Sequence, residues 1–197
     1  MKGLSPPSIP WGVSAPSSPQ ATARVCRLFH FSEDPNIALF RPRMAATSAE
    51  EEPLVWSIDE AHAPSYWFPR NCPRACCWVG EKPVLEAGAA LLGLGGARRL
   101  HAIEAGWLER VRACRLYRYE FDPVSFRLKV PDAGYWVANC EAAPLAITPV
   151  GDLLARHAEA GIELRIVMNL WPLIDAVVGS GFEFSIIRKA NAQGRVA

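Results

Sequence analysis

The segment LFHFSEDPNIALFRP (residues 28–42) places His30 in an apolar, strand-like run that ends in a polar turn. The segment VWSIDEAHAPSYWFPR (residues 55–70) has the same plan, because a short apolar strand leads into a polar stretch with a histidine and a tyrosine. Two strand ends that each deliver polar side chains can line one cleft. These segments therefore predict a sheet and, at the ends of two of its strands, a candidate site.

The composition is that of a soluble globular protein. Half of the 197 residues are hydrophobic and 21% are charged, as expected for a domain with a real core. The net charge of +1 gives no electrostatic reason to expect a nucleic-acid partner. No apolar run approaches the roughly 20 residues of a membrane-spanning helix, and the amino terminus lacks the hydrophobic core of a signal peptide. We therefore expect a cytoplasmic protein without a membrane partner, whose six cysteines are mostly reduced thiols.

The chain divides into an extension and one domain. Residues 1–23 are rich in proline, serine and alanine and have no periodic apolar pattern, which predicts a disordered extension. The texture changes at Arg24, and residues 24–197 are interpreted as a single globular domain of ordinary size.

Hydrophobic periodicity within this domain predicts roughly eight strands and a few short helices. Residues 115–121 alternate between two faces, which is typical of a half-buried strand. Residues 126–130 and 135–139 form a predicted hairpin around the turn PDAG. Thr148, as a cap before a first-turn proline, predicts the start of a helix that ends at Gly161.

Strands dominate the first part of the domain, and helices alternate with strands in the second part. This order favours an α+β fold, a single domain of mixed or antiparallel sheets with a few short helices, over a doubly wound sheet. The remaining strands are predicted at residues 25–31, 54–58, 74–79, 99–103, 162–168 and 182–188.

His30 is the first candidate site residue. Ser32 and two acidic residues follow it at the end of the predicted strand. A histidine in such a place can hydrogen-bond a bound ligand. The alternative interpretation is a structural histidine whose ring nitrogen is satisfied by the backbone of the sheet.

Asp59, His62 and Tyr66 form a second candidate group within eight residues. If the segment is helical, His62 and Tyr66 are four residues apart and share a face. Tyr66 could then stack on a flat ligand while His62 hydrogen-bonds nearby. The alternative is that Tyr66 and the two aromatic residues after it belong to the core.

Glu141 is the acidic candidate, because it follows the predicted strand at residues 135–139 and so lies at another strand end. Glu120 and Glu183 are weaker candidates, since both lie within predicted strands and are interpreted as surface positions.

Three cysteines near His62 raise the question of a zinc site. Three residues lie between Cys72 and Cys76, and Cys77 follows Cys76 directly. Structural zinc sites typically have two residues between paired cysteines. Cys76 and Cys77 would also point to opposite faces of a strand. We therefore expect no metal.

Local basic clusters occur at residues 98–99 and at Arg110, Arg112 and Arg115. Such clusters are more often solvated faces than binding stripes, and we interpret them in that way.

The whole stretch from Leu28 to Gln193 resembles a bacterial protein family of unknown function. The resembling segments are LFHFSEDPNIALFRPR, PLVWSIDEAHAPSYWFPRNCPR, HAIEAGWLERVRACRLYRYEF, GYWVANCEAAPL, ELRIVMNLWPL and FSIIRKANA. A more distant similarity is to ADP-ribosyltransferase-like folds, in which a histidine on a first strand precedes a second strand and then a tyrosine. Residues 28–32 are similar to the first element, and residues 55–59 followed by Tyr66 are similar to the second.

This second resemblance implies an ADP-ribosyltransferase-like enzyme, a glycosyl transferase that takes ADP-ribose from NAD. His30 would fix the nicotinamide ribose, Tyr66 would stack on the nicotinamide, and Glu141 would orient the ribose for transfer. The NAD-binding residues would be His30, Ser32, Asp59, His62 and Tyr66.

One position departs from that pattern. A glycine follows the histidine in those folds and its backbone contacts the nicotinamide amide, whereas this chain has Phe31 there. The alternative function is a non-catalytic module that binds a small molecule or a partner protein. Its contact surface would be the aromatic cluster of Tyr66, Trp67, Phe68 and Trp78.

Overall fold

The computed structural model describes residues 27–44, 52–80, 86–92 and 95–195. The extension predicted at residues 1–23 lies outside the described residues. The strands are, in chain order, β1 (Leu28–Ser32), β2 (Val55–Asp59), β3 (Arg74–Trp78), β4 (Arg99–Glu104), β5 (Tyr117–Phe121), β6 (Arg127–Val130), β7 (Tyr135–Ala138), β8 (Ala146–Pro149), β9 (Glu163–Val167) and β10 (Glu183–Ile187).

The helices are α1 (Glu86–Leu92), α2 (Leu108–Ala113), α3 (Leu153–Glu159) and α4 (Trp171–Val178). Short 3-10 turns join several elements, and one of them, Ala63–Tyr66, follows β2. None of the helices within the described ranges is long and apolar enough to cross a membrane.

Six strands form an antiparallel sheet in the order β6-β7-β2-β1-β5-β8. β1 is central in it, so that Leu28 lies opposite Phe121 and His30 lies opposite Tyr119 on β5. Tyr119 and Phe121 are fully buried. The alternation of residues 115–121 therefore predicts this strand correctly, because one of its two faces is in the core.

The other four strands form a mixed sheet in the order β10-β3-β4-β9, in which only β4 and β9 are parallel. Every residue of β3 is buried, because apolar clusters cover both of its faces. Cys77 packs with Leu173 and Val177 of α4, whereas Cys76 packs with Phe68 and Leu153 on the other side. Two strand-rich sheets with a few short helices confirm the predicted α+β fold.

β1 presents different side chains to its two sides, because successive residues of a strand point to opposite faces. Leu28 packs in the cluster that contains Phe40, and His30 also contacts the Phe40 ring. Phe29 and Phe31 pack on the opposite face, in the cluster that contains Ala63. The 3-10 turn after β2 therefore lies against the Phe29 and Phe31 face.

A chain of hydroxyl groups connects the two sheets. The Tyr66 hydroxyl donates a hydrogen bond to the Tyr135 hydroxyl at 3.0 Å, and the Tyr135 hydroxyl lies 3.2 Å from Ser185 Oγ. Tyr135 is on β7 of the six-stranded sheet and Ser185 is on β10 of the four-stranded sheet. The 3-10 turn that carries Tyr66 is thus a third partner in this contact.

The predicted hairpin is confirmed, since β6 and β7 pair in antiparallel fashion. Gly134 closes the turn with a φ of +67°, in the left-handed region that glycine adopts without a steric cost.

The predicted helix start at Thr148 is wrong. Thr148 and Pro149 end the edge strand β8, where a proline is tolerated because the missing N–H faces away from the sheet. α3 begins after Asp152, whose carboxylate accepts the N–H groups of Leu154 at 2.8 Å and Ala155 at 3.1 Å. Asp152 is therefore the cap, and the local Thr-Pro signal belongs to a strand end.

Glu104 ties the carboxy-terminal part of the chain to the sheet. Glu104 is the last residue of β4 and its side chain is buried. Its carboxylate accepts the N–H of Leu170 at 3.2 Å, next to the start of α4. The same carboxylate accepts the N–H of Gln193, at 3.1 Å from each oxygen. One buried side chain therefore holds two segments that follow it in sequence.

Candidate functional site

His30 lies on the face of β1 against which Phe40 packs. Its Nδ1 is 3.0 Å from the backbone oxygen of Trp56, and its ring centroid is 4.8 Å from that of Phe40. Burial lowers the pKa of His30, so the ring is neutral at pH 7. Ser32, on the same face, accepts the N–H of Asp34 and closes a turn. Each residue therefore has a hydrogen bond to backbone, through Nδ1 in His30 and Oγ in Ser32.

Tyr66 lies on the other side of the six-stranded sheet from His30. Its ring stacks on Phe31, with the centroids 6.4 Å apart and the planes at 14°. The Arg74 guanidinium lies 5.2 Å from its ring centroid, and burial raises the pKa of its hydroxyl. Because Phe31 and His30 are successive residues of one strand, Phe31 occupies the face that His30 does not. The structure does not bring His30 and Tyr66 together.

Asp59 and His62 do come together. Asp59 Oδ1 is 2.7 Å from His62 Nδ1 and accepts the His62 backbone N–H at 2.9 Å. When Nδ1–H donates to Asp59, a neutral His62 carries its free lone pair on Nε2. Pro64 limits the following segment to a 3-10 turn, and the His62 ring packs on Trp78 while Tyr66 has the partners given above. His62 and Tyr66 therefore do not share a helix face.

Glu141 lies apart from the other predicted site residues. Its side chain is exposed and pairs with Arg41 at 3.4 Å. This pair sits beside the bridge between Phe40 and Ala142, which covers the His30 face. Within the described part of the chain, Glu141 has no contact with Tyr66.

Cys72, Cys76 and Cys77 are buried thiols. Burial raises the pKa of Cys72 to about 12, that of Cys76 to about 11 and that of Cys77 to about 12. Cys76 and Cys77 belong to the clusters on opposite faces of β3, as their adjacency predicts. Among the residues that the structure describes, no three histidine, cysteine or acidic side chains are placed to hold a metal ion.

A cavity of about 230 Å³ opens between the six-stranded sheet and α3, and we name it the sheet–helix cleft. Phe29, Phe31 and Trp67 give it an aromatic floor. Arg118 on β5 and Arg156 on α3 bring two guanidinium groups to it. The other lining residues are Glu60, Ala63, Thr148, Pro149 and Val150.

Each arginine of the cleft lies against an aromatic ring. The Arg118 guanidinium carbon is 4.8 Å from the Phe29 centroid, and that of Arg156 is 5.2 Å from the Trp67 centroid. The Nε atoms of both arginines are buried and have no hydrogen-bond partner among the described residues. A buried N–H without a partner costs free energy, and carboxylates or phosphates are the groups that guanidinium binds best.

These arginines have no close ion pair among the described residues, although the charge of Arg118 contributes to the lowered pKa of Glu120. Within the described ranges Arg118 forms no ion pair, and Arg156 has only a long contact of 3.7 Å with the exposed Glu159. The acidic residues near the cleft are paired elsewhere, because Arg27 binds Glu120 at 2.8 Å and Glu60 at 2.9 Å. The bond from Arg27 is also the main reason that the pKa of Glu120 is lowered. The cleft thus brings two guanidinium groups to an aromatic floor, and its one acidic lining residue, Glu60, pairs with Arg27.

The prediction from sequence missed both arginines of the cleft. Arg118 occupies one of the polar positions in the alternating run at residues 115–121, and that pattern predicts a solvent-facing side chain. Its place beside Phe29 and Phe31 follows from the pairing of β5 with β1, in which Arg118 lies opposite Phe31. No signal within the run itself contains that information.

Comparison with known proteins gives a family for the chain. A family model described as "Family of unknown function (DUF6886)" matches residues 29–192. The chain belongs to this family. No curated protein and no solved structure matches the chain. The matched range includes every residue that lines the sheet–helix cleft, so the cleft lies inside the region that defines the family.

Proposed function

We propose that the protein binds a small anionic molecule with a flat ring in the sheet–helix cleft. The observation that carries this proposal is the pair of arginines, Arg118 and Arg156, whose buried Nε–H groups have no acceptor among the described residues. An anionic ligand supplies the missing acceptors, and the same cleft offers Phe29, Phe31 and Trp67 to a ring.

The size of the cavity limits the ligand. A cavity of about 230 Å³ is smaller than the roughly 300–1,000 Å³ of common ligand pockets, so it suits one ring with its anionic group. NAD, the cofactor that the sequence resemblance implies, has flat rings and a diphosphate and so belongs to this ligand class. A dinucleotide would place one of its halves in the cleft and leave the other outside.

We propose binding without ADP-ribosyl transfer. The transfer reaction assigned from the resemblance needs His30, Tyr66 and Glu141 to act on one ligand. These three side chains have separate surroundings, in which His30 is bonded to backbone, Tyr66 is in the inter-sheet contact and Glu141 pairs with Arg41. A binding module, the alternative from the sequence, is therefore the better proposal. Its contact surface is not the aromatic cluster named from the sequence, because Phe68 and Trp78 are buried in the core.

Titration calorimetry with four probes tests the proposal. The probes are phenyl phosphate, benzoate, benzamide as the uncharged match of benzoate, and NAD. We expect the two simple anions to bind. Benzamide should bind at least about tenfold more weakly, because it carries no negative charge to pair with the guanidinium groups. NAD binding as tight as that of phenyl phosphate would support NAD as the ligand.

Two substitutions locate the binding site. Arg118→Gln and Arg156→Gln should each weaken binding of the anions by about tenfold or more, since each removes a charged hydrogen-bond donor. Arg127→Gln is the matched control, because Arg127 is an exposed arginine that pairs with Glu52 away from the cleft. Binding of none of the probes, or binding that neither cleft variant changes, would refute the proposal.

A further inference from the structure

A second cavity, of about 440 Å³, lies at the end of β1, and we name it the strand-exit pocket. Its walls carry charges of both signs, from Glu33, which follows β1, and from Arg110 and Arg115 of the α2 region. Trp107, Pro69, Asn71, Ala113 and Cys114 complete its lining. The pocket shares no lining residue with the sheet–helix cleft.

Glu33 is held in place without being neutralised. Its Oε1 accepts the backbone N–H of Arg70 at 2.8 Å, which fixes the carboxylate at the wall of the pocket. Glu33 forms no ion pair with any residue in the described ranges. Glu33 and Cys114 both line the pocket. Burial raises the pKa of the Cys114 thiol to about 11, and the charge of Glu33 adds to this effect.

The two arginines are exposed side chains that also lack an acidic partner among the described residues. The Arg110 guanidinium lies 4.7 Å from the Trp107 ring centroid, and neither Arg110 nor Arg115 pairs with an acidic residue in the described part of the chain. Their neighbour Arg112 differs, since it binds Glu109 at 3.2 Å. Charges of opposite sign therefore line one cavity and do not reach each other.

We propose that the strand-exit pocket binds a free amino acid as a zwitterion. The ammonium group would pair with Glu33, the carboxylate would pair with Arg110 and Arg115, and Trp107 would contact the side chain. A ligand with only a carboxylate is repelled by Glu33, and one with only an ammonium is repelled by the two arginines. A zwitterion satisfies both walls at once.

Alkylation of Cys114 reports on this pocket directly. Cys114 lines the pocket, whereas Cys140 is exposed elsewhere and serves as an internal control. The protein is treated with iodoacetamide, and mass spectrometry of peptides gives the rate at each cysteine. We expect at least one of the twenty amino acids, with an aromatic one as the first probe, to slow alkylation of Cys114 several-fold and to leave Cys140 unchanged.

Matched probes test the zwitterion requirement. Phenylalanine is compared with 3-phenylpropionate, which lacks the ammonium, and with phenethylamine, which lacks the carboxylate. Each should require about tenfold more ligand for the same protection, because one charged contact is lost. No protection by any amino acid, or equal protection by 3-phenylpropionate, would overturn the proposal.

Variants then assign the walls of the pocket. Glu33→Gln keeps an oxygen for the Arg70 N–H but removes the charge, and Arg110→Gln removes the opposite charge. Both should reduce protection of Cys114 about tenfold, and Arg112→Gln should not, because Arg112 is on the same helix but pairs with Glu109. The cleft variants Arg118→Gln and Arg156→Gln should leave this protection intact, so failure of one proposal does not carry over to the other.

Discussion

At the scale of single residues, His101 and His157 form a buried pair. His157 Nε2 is 3.1 Å from His101 Nδ1, and His157 Nδ1 donates to the backbone oxygen of Leu153 at 2.6 Å. In the neutral pair His101 Nδ1–H therefore donates to His157 Nε2. Burial lowers the pKa of both histidines, and that of His101 falls well below its usual value, with smaller contributions from His157, Arg99 and Arg74.

This pair should make the fold sensitive to acid. The unfolded histidines bind protons near pH 6.5, whereas the folded pair stays neutral to a lower pH. The free energy of unfolding is therefore highest above pH 7 and falls as the pH drops through about 6.5, by up to about 1.4 kcal/mol per pH unit for each histidine. Urea denaturation at pH 8, 7, 6 and 5 measures the slope.

A double variant is the control for that slope. His101→Gln with His157→Gln removes both titrating groups, so its stability should change less between pH 7 and pH 5 than that of the parent. An unchanged parent stability over this range would show that the pair does not titrate in the way its burial indicates.

At the scale of elements, α3 shows where local patterns succeed and fail. Its end agrees with the prediction, since Ala160 is its C-cap and Gly161, the next residue, adopts a φ of +64°. Its start differs from the prediction, because a Thr-Pro pair can end a strand as well as begin a helix, and here it ends β8. Asp152 decides the matter through two backbone hydrogen bonds that the sequence pattern alone does not reveal.

The two candidate caps can be compared directly. Asp152→Ala should cost about 1 kcal/mol of the free energy of unfolding, because two N–H groups at the start of α3 lose their acceptor. Thr148→Ala should cost less than about 0.5 kcal/mol, since Thr148 is an exposed residue of β8. Urea denaturation at pH 8 gives both values, and a larger loss at Thr148 would restore the helix start predicted from the sequence.

Two glycines allow a similar comparison, Gly134 in the hairpin turn and Gly161 after α3. A Cβ at Gly134 would lie 2.2 Å from His62 Nδ1 and 2.5 Å from its Cγ, whereas a Cβ at Gly161 would meet nothing within 4 Å. Both glycines have nearly the same positive φ, so Gly161→Ala measures the backbone cost alone, about 1 kcal/mol. Gly134→Ala should cost more and should disturb the Asp59–His62 pair, which NMR of the histidine ring detects.

The predictable part of the site is the part that lies close in sequence. Asp59 and His62 are three residues apart, and their contact needs only a turn. His30 and Tyr66 face opposite ways because of strand pairing and side-chain alternation. Arg118 meets the floor of the cleft because β5 lies beside β1. Such relations depend on which strands become neighbours, and no short window of sequence contains them.

At the scale of the whole molecule, the hydroxyl chain of Tyr66, Tyr135 and Ser185 joins the two sheets. Tyr135→Phe removes the central hydroxyl and leaves the half-buried Tyr66 and the buried Ser185 without that partner, so the free energy of unfolding should fall by about 1–2 kcal/mol. Tyr117→Phe is the control, since the Tyr117 hydroxyl has no hydrogen bond to a residue in the described ranges. Equal effects in thermal denaturation would mean that the chain does not stabilise the contact between the sheets.

Glu104 has a practical consequence for the design of shortened chains and carboxy-terminal fusions. A chain cut after residue 188 loses the Gln193 amide, and a buried carboxylate is then left with Leu170 as its remaining backbone donor. A buried charge that loses a donor is costly, so the penalty falls on β4 in the middle of a sheet rather than on the cut end. Carboxy-terminal deletions should therefore keep Gln193, and a tag should be joined after that residue.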